Sequence, residues 1–261
     1  MLPSSSEEWS RIASYSAVFS ALVLAATLVS VATPVTRGYF NLGESMVYTA
    51  AILGGPLVGA IAGAIGSSLA DIILGYGYYA PGTFIIKGLE GFIVGALFLR
   101  LSRVPRDRWA RLLPWVSAGI GALFAGLSLV LYTGLLSGGW SVPTELSFWG
   151  KTVSFTVPWW VWPLLGLGVA IAVYVLGRRG PLLGAALVSM LVGGLWMVLG
   201  YFVYEATVIY SLGIGEMSSP LAAASEIPVN IGQAVVGASI ASAIVGTVWR
   251  AGSGWPSSSA A

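Results

Sequence analysis

Asp71, Lys87 and Glu90 are ionisable residues set inside apolar runs, where hydrocarbon surroundings penalise charge and each must pair or meet a ligand. Lys87 and Glu90 stand three apart and share a helix face. They can neutralise each other, pair with Asp71, or orient a bound molecule; spacing leaves these open. Tyr201 and Glu205 close a later apolar run, Asn230 and Gln233 open the next, and Glu44 heads a short one. Apolar walls with a few convergent hydrogen-bonding groups are the anatomy of a small-molecule pocket. Covalent chemistry has little to draw on. The chain has no Cys and no His, so it lacks a thiolate nucleophile, a sulfur-ligated metal and an imidazole base. No catalytic residue, metal or cofactor is expected. Gly150, Lys151 and Thr152 look like the end of a phosphate-binding loop, but Glu145 takes the place of its first glycine and the sequence pattern predicts no strand before it. Any ATP-driven work must therefore come from other chains.

Composition defines what positions these residues. With 57% hydrophobic residues, 8% charged and a mean hydropathy of +0.88, the chain is far from soluble domains, which carry about 25% charged residues. It reads as an integral membrane protein, one domain over residues 1–261. The net charge of +2 comes from bases flanking apolar runs, which speaks for loop orientation and not for nucleic acid.

Eight apolar segments approach the roughly 20 residues that cross a bilayer as a helix: residues 12–32, 44–53, 57–74, 83–101, 112–136, 157–176, 181–204 and 229–248. Ser4 to Ser6 with Glu7 and Glu8 suit a helix start. That acidic start, and a run longer than the usual 7 to 15 residues, mark the first segment as a retained helix and not a cleaved signal. Residues 34–43 read as a loop. Gly54, Gly55 and Pro56 break the second segment from the third and predict a tight helical hairpin buried in protein. Residues 76–81 form an aromatic interfacial loop, and residues 252–261 read as a disordered tail.

An even number of spans puts both termini on one side. Arg11, Arg100, Arg103, Arg106, Arg108, Arg111, Arg178, Arg179 and Arg250 then share that side, against Arg37 and Lys151 opposite. By the excess of bases on inner loops, the first side is cytoplasmic. Lys87, Glu90, Tyr201, Glu205, Asn230 and Gln233 then lie toward the outer face.

Helix one carries Ala13, Ala17, Ala21 and Ala25, a stripe of small side chains that lets another helix approach closely. Spacing alone favours packing within the chain over a partner. Gly55, Gly59 and Gly63 repeat the pattern in the third segment and read as internal packing.

The stretch from Gly38 to Gly95 resembles the substrate-binding S components of energy-coupling factor (ECF) transporters, in particular the riboflavin-transporter-like branch. The resemblance is carried by FNLGE at 40–44, GGP at 54–56, Leu69, Ala70 and Asp71, and KGLEG at 87–91. Gly200, Tyr201 and Phe202 with Glu205, then Glu226, Ile227, Pro228, Val229 and Asn230, agree in order and spacing. The resemblance implies an all-α polytopic bundle with a six-helix core that binds a small vitamin or precursor from outside. It also implies a transmembrane T component and two cytoplasmic ATPases as partners, and a cell-membrane location. By the same resemblance, Ala13, Ala17, Ala21 and Ala25 become the face that docks to the T component. Carried over by position, the pocket residues are Tyr39, Phe40, Asn41, Lys87, Glu90, Tyr201, Glu205 and Asn230. The chain departs from the family in an extra pair of spans at about 112–176, within an inserted stretch 106–179, with the run Pro158, Trp159, Trp160, Val161, Trp162. The core of six becomes about eight, and the hairpin could shield the core, cover the pocket or hinder docking.

The rival reading is an autonomous secondary transporter with Asp71, Lys87 and Glu90 as an ion relay; no convincing inverted repeat favours it. A membrane enzyme lacks a catalytic set. Flavin, pyrimidine and pyridoxine-like ligands all suit an aromatic, lightly charged cavity, so ligand identity stays open.

Overall fold

The computed structural model describes residues 5–132, 143–148, 151–215 and 220–251. The expected tail at 252–261 lies outside the described residues, as does the end of the fifth segment. Among the described residues eight α-helices form the bundle: α1 (Ser6–Thr27), α2 (Gly43–Gly54), α3 (Pro56–Ile73), α4 (Ala80–Leu101), α5 (Arg106–Tyr132), α6 (Val161–Arg179), α7 (Pro181–Tyr204) and α8 (Ile227–Ala251). Among the described residues six helical stretches are long and apolar enough to cross a membrane: α1, α3, α5, α6, α7 with its extension, and α8 with the turn before it. At 12 residues, α2 rises only about 18 Å at 1.5 Å per residue, short of a bilayer core of about 30 Å. Polar residues interrupt α4 at Lys87 and Glu90. The chain is a multi-pass membrane helix bundle.

Local chemistry sets the helix starts. Ser5 accepts from the Glu8 backbone N–H while the Glu8 carboxylate accepts from the Ser5 N–H, a reciprocal cap for α1. Pro56 and Pro181 open α3 and α7 at positions where a missing N–H loses nothing. Gly55, at φ 85°, makes the turn between α2 and α3 and has no close neighbour. It therefore serves the turn and not the packing stripe assigned to it above.

Gly59 and Gly63 do pack internally. A Cβ on Gly63 would lie 2.5 Å from the Lys87 carbonyl oxygen, and one on Gly59 would lie 2.8 Å from the Gly91 oxygen, so α3 and α4 touch backbone to backbone. Gly63→Ala is accordingly expected to lower the melting temperature in detergent, although alanine gains about 1 kcal/mol of helix propensity over glycine. Overpacking of this kind costs about 1–3 kcal/mol. A rise in melting temperature would mean the two helices are free to part.

The hairpin α5–α6 closes in the same manner. Gly121 and Gly166 bring its two helices together, and the Trp109 indole donates to the Gly177 oxygen at 3.2 Å. The pair packs on α7 and α8. Large apolar side chains on its outer surface, such as Trp115, Leu123, Leu164 and Ile171, stay exposed, as suits a lipid-facing wall.

The connections between helices differ from the sequence expectation. Helix α1 ends at Thr27, short of residue 32, and the expected loop 34–43 holds part of a hairpin of two strands, β1 (Ser30–Thr33) and β2 (Gly38–Asn41). Between α5 and α6 lies a second hairpin, β3 (Pro143–Phe148) and β4 (Lys151–Thr156), and Ala32 pairs with Ser147 to join them in the order β2-β1-β3-β4. The alternating pattern in such short strands is too brief to stand out against apolar helices. In addition, α7 continues as a π-helical turn over Glu205–Ile209, and a 3₁₀ turn over Pro220–Glu226 leads into α8.

Candidate functional site

By element order, the end of α1, the end of α3, the start of α4, the end of α7 and the start of α8 meet at one end of the bundle, under the sheet. There they bound a narrow polar slot, a cavity of about 30 Å³ that opens to solvent. Arg11, Arg106, Arg178, Arg179 and Arg250 stand at the opposite helix ends.

Each wall has a local cause. In β2 successive side chains point to opposite faces, so Tyr39 and Asn41 face the slot and Phe40 does not. The Tyr39 hydroxyl donates to Asp71 Oδ1 at 2.5 Å. Burial first, then the nearby Asp71, hold the Tyr39 phenol above its ordinary value, so it stays a donor at neutral pH. The Asn41 backbone N–H donates to Gln233 Oε1 at 2.7 Å, and Gln233 Nε2 donates to Asn230 Oδ1 at 3.1 Å. This chain of bonds ties the sheet to the first turns of α8. Thr83 and Tyr201 hydroxyls lie 3.1 Å apart, and the Tyr79 hydroxyl reaches Glu205 Oε1 at 3.3 Å. The Thr36 hydroxyl donates to Glu226.

Lys87 is 3% exposed and bonded on its protein side to both Glu44 and Glu90 Oε2, the latter at 3.2 Å. Its ammonium also lies 5.4 Å from the Tyr201 ring centre, within the range of a cation–π contact. The choice left open by spacing thus resolves: Lys87 pairs with Glu90 and Glu44, and Asp71 bonds to Tyr39.

Of the eight residues expected to form the pocket, Tyr39, Asn41, Lys87, Tyr201, Glu205 and Asn230 line the slot. Glu90, fully buried, sits one helical turn deeper, beneath Lys87. Phe40 faces a separate apolar chamber with Phe155, Trp162 and Val229. Thr27, Gly38, Ser67, Asp71, Tyr79, Thr83, Glu226 and Gln233 also line the slot. Asp71 and Gln233 carried a readable signal, a charge in an apolar run and a helical neighbour of Asn230; Thr27, Ser67 and Thr83 carried none, since hydroxyls are common in membrane helices. Ala13, Ala17, Ala21 and Ala25 are all exposed, while Ser16, Val23 and Thr27 turn inward. The internal packing that spacing favoured is not where the stripe goes.

The fold and the slot define a polytopic membrane bundle with a polar recess at one end of its helices. Residues 10–142 and 147–249 match the family described as ECF-type riboflavin transporter, S component, and the chain belongs to it. The matched residues run through both α5 and α6. Over 75 residues the chain is 48% identical to a Pyrococcus woesei protein described as an uncharacterized protein in gap 3'region, covering 29% of this chain and 50% of that one. The chain spans about half the length of that curated relative.

Proposed function

We propose that this subunit captures a small, ring-containing vitamin or precursor from outside the cytoplasmic membrane. A T component and two cytoplasmic ATPases then drive release inward. By the excess of bases on inner loops, both termini and the basic helix ends face the cytoplasm and the mouth of the slot faces outside. The observation that carries this reading is the convergence of Tyr39, Asn41, Lys87, Tyr201, Glu205 and Asn230, from β2, α4, α7 with its extension, and α8, on one slot. Aromatic faces of Tyr39, Tyr79 and Tyr201 suit a flat ring, and the carboxyl, amide and ammonium groups orient its edges. The sheet covers the slot, and through Ala32 and Ser147 the β3–β4 hairpin supports that cover. The α5–α6 pair packs on α7 and α8 and leaves the alanine face of α1 exposed, compatible with docking of the T component there.

Glu205→Ala tests the slot. Removing one charged hydrogen-bond acceptor should weaken binding of the ligand retained by the purified protein about ten- to hundredfold, with the circular-dichroism spectrum unchanged. Unaltered affinity would take Glu205 out of the site.

A further inference from the structure

Carboxyl groups crowd the slot and positive charge is scarce in it. Among the described residues, Asp71, Glu205 and Glu226 line it at 2%, 3% and 4% exposure, and Lys87 is the one basic residue that does. That ammonium is already bonded to Glu44 and Glu90, so five buried carboxyl groups share a single ammonium. Arg37, in the β1–β2 turn, is exposed and does not line the slot.

The acceptors are also incompletely met. Asp71 Oδ1 receives the Tyr39 proton, while the Tyr79 hydroxyl is shared between the Thr36 carbonyl oxygen at 3.2 Å and Glu205 Oε1 at 3.3 Å, and Glu205 Oε2 is buried with no hydrogen-bond partner. A buried acceptor left unmet is unfavourable until something donates to it. A neutral ring offering carbonyl oxygens, or a carboxylate, would set acceptor against acceptor here. A cation or an amino group supplies the missing donor, and the faces of Tyr79 and Tyr201 add cation–π attraction.

We propose that the slot takes a positively charged, N–H-donating heteroaromatic molecule, whose charged edge is received by Glu205 and Asp71. This rests on the slot being the substrate site.

The test is calorimetric titration of the purified full-length protein with three probes. Thiamine carries a fixed positive charge and an amino group, riboflavin is a neutral flat ring, and pantothenate is an anion. Thiamine is expected to bind at least about tenfold more tightly than either of the others, the factor that one charge-assisted hydrogen bond supplies. Glu205→Gln should remove about tenfold or more of that affinity, and Asp71→Asn provides the same comparison if the first variant does not fold. Riboflavin or pantothenate binding as tightly as thiamine overturns the charge assignment and leaves the receptor reading standing. Thiamine affinity unchanged in both variants also overturns the assignment. No heat with any probe counts against both the assignment and the receptor reading.

Discussion

The double variant Ala17→Trp, Ala21→Trp is expected to bring ligand uptake by intact cells to background while leaving binding by the purified subunit within about twofold of wild type. Both residues are exposed on one face of α1, four positions apart, and the helix is held to α2 and α3 by its other side through Ser16, Val23 and Thr27. Two indoles can therefore be added without displacing any internal contact. In a membrane, helices associate through close backbone approach over small residues, because lipid removes the hydrophobic drive. Two large rings on that face hold a partner helix away and forfeit most of its dispersion contacts. The slot lies at the far end of the bundle's interior and is not touched. Uptake that persisted in the double variant would move the docking surface elsewhere, and lost binding would show that the alanine face of α1, and not only Thr27 at its end, shapes the slot.

Lys87→Met is expected to have the largest effect on stability. Its ammonium is the partner of Glu44 and Glu90, which are 1% and 0% exposed. Breaking a buried ion pair from one side leaves uncompensated charge and costs about 3–5 kcal/mol, and here two carboxyl groups lose their partner together. Expression should fall and the melting transition in detergent should drop sharply or vanish. Adding Glu44→Gln and Glu90→Gln in the same chain should recover much of the loss, since neutral amides can be buried without a cation. If Lys87→Met melted like wild type, the trio would not be a structural clamp between α2 and α4. If the triple variant folded but bound no ligand, Lys87 would be needed in the slot as well as in the clamp.

Much of this site was legible because hydrocarbon makes polar residues conspicuous. Lys87, Glu205 and Asn230 stand out in apolar runs, and alternation of spans brings them to one end whatever the details of packing. Glu44 was visible as a charge at a helix head, but its partner was not, because the α2–α4 contact depends on the turn at Gly55 and the close crossing at Gly59, Gly63 and Gly91. Phe40 was placed with Tyr39 and Asn41 because the segment read as a loop. Once it is a strand, the two-residue period sends Phe40 to the apolar chamber and its neighbours to the slot. The pairing of Ala32 with Ser147 joins residues far apart in the chain, and no local pattern encodes such a partner.

From the order of its residues alone, this chain is a membrane bundle whose polar groups gather at one end and whose bases gather at the other, because burial in lipid and the distribution of Lys and Arg act on segments one at a time. Which of those polar groups face a common space was decided only in three dimensions. Lys87 and Glu90 share a helix face, yet only Lys87 reaches the slot; depth along a helix and register across a strand are set by the neighbours that pack against them, and those neighbours come from distant parts of the chain.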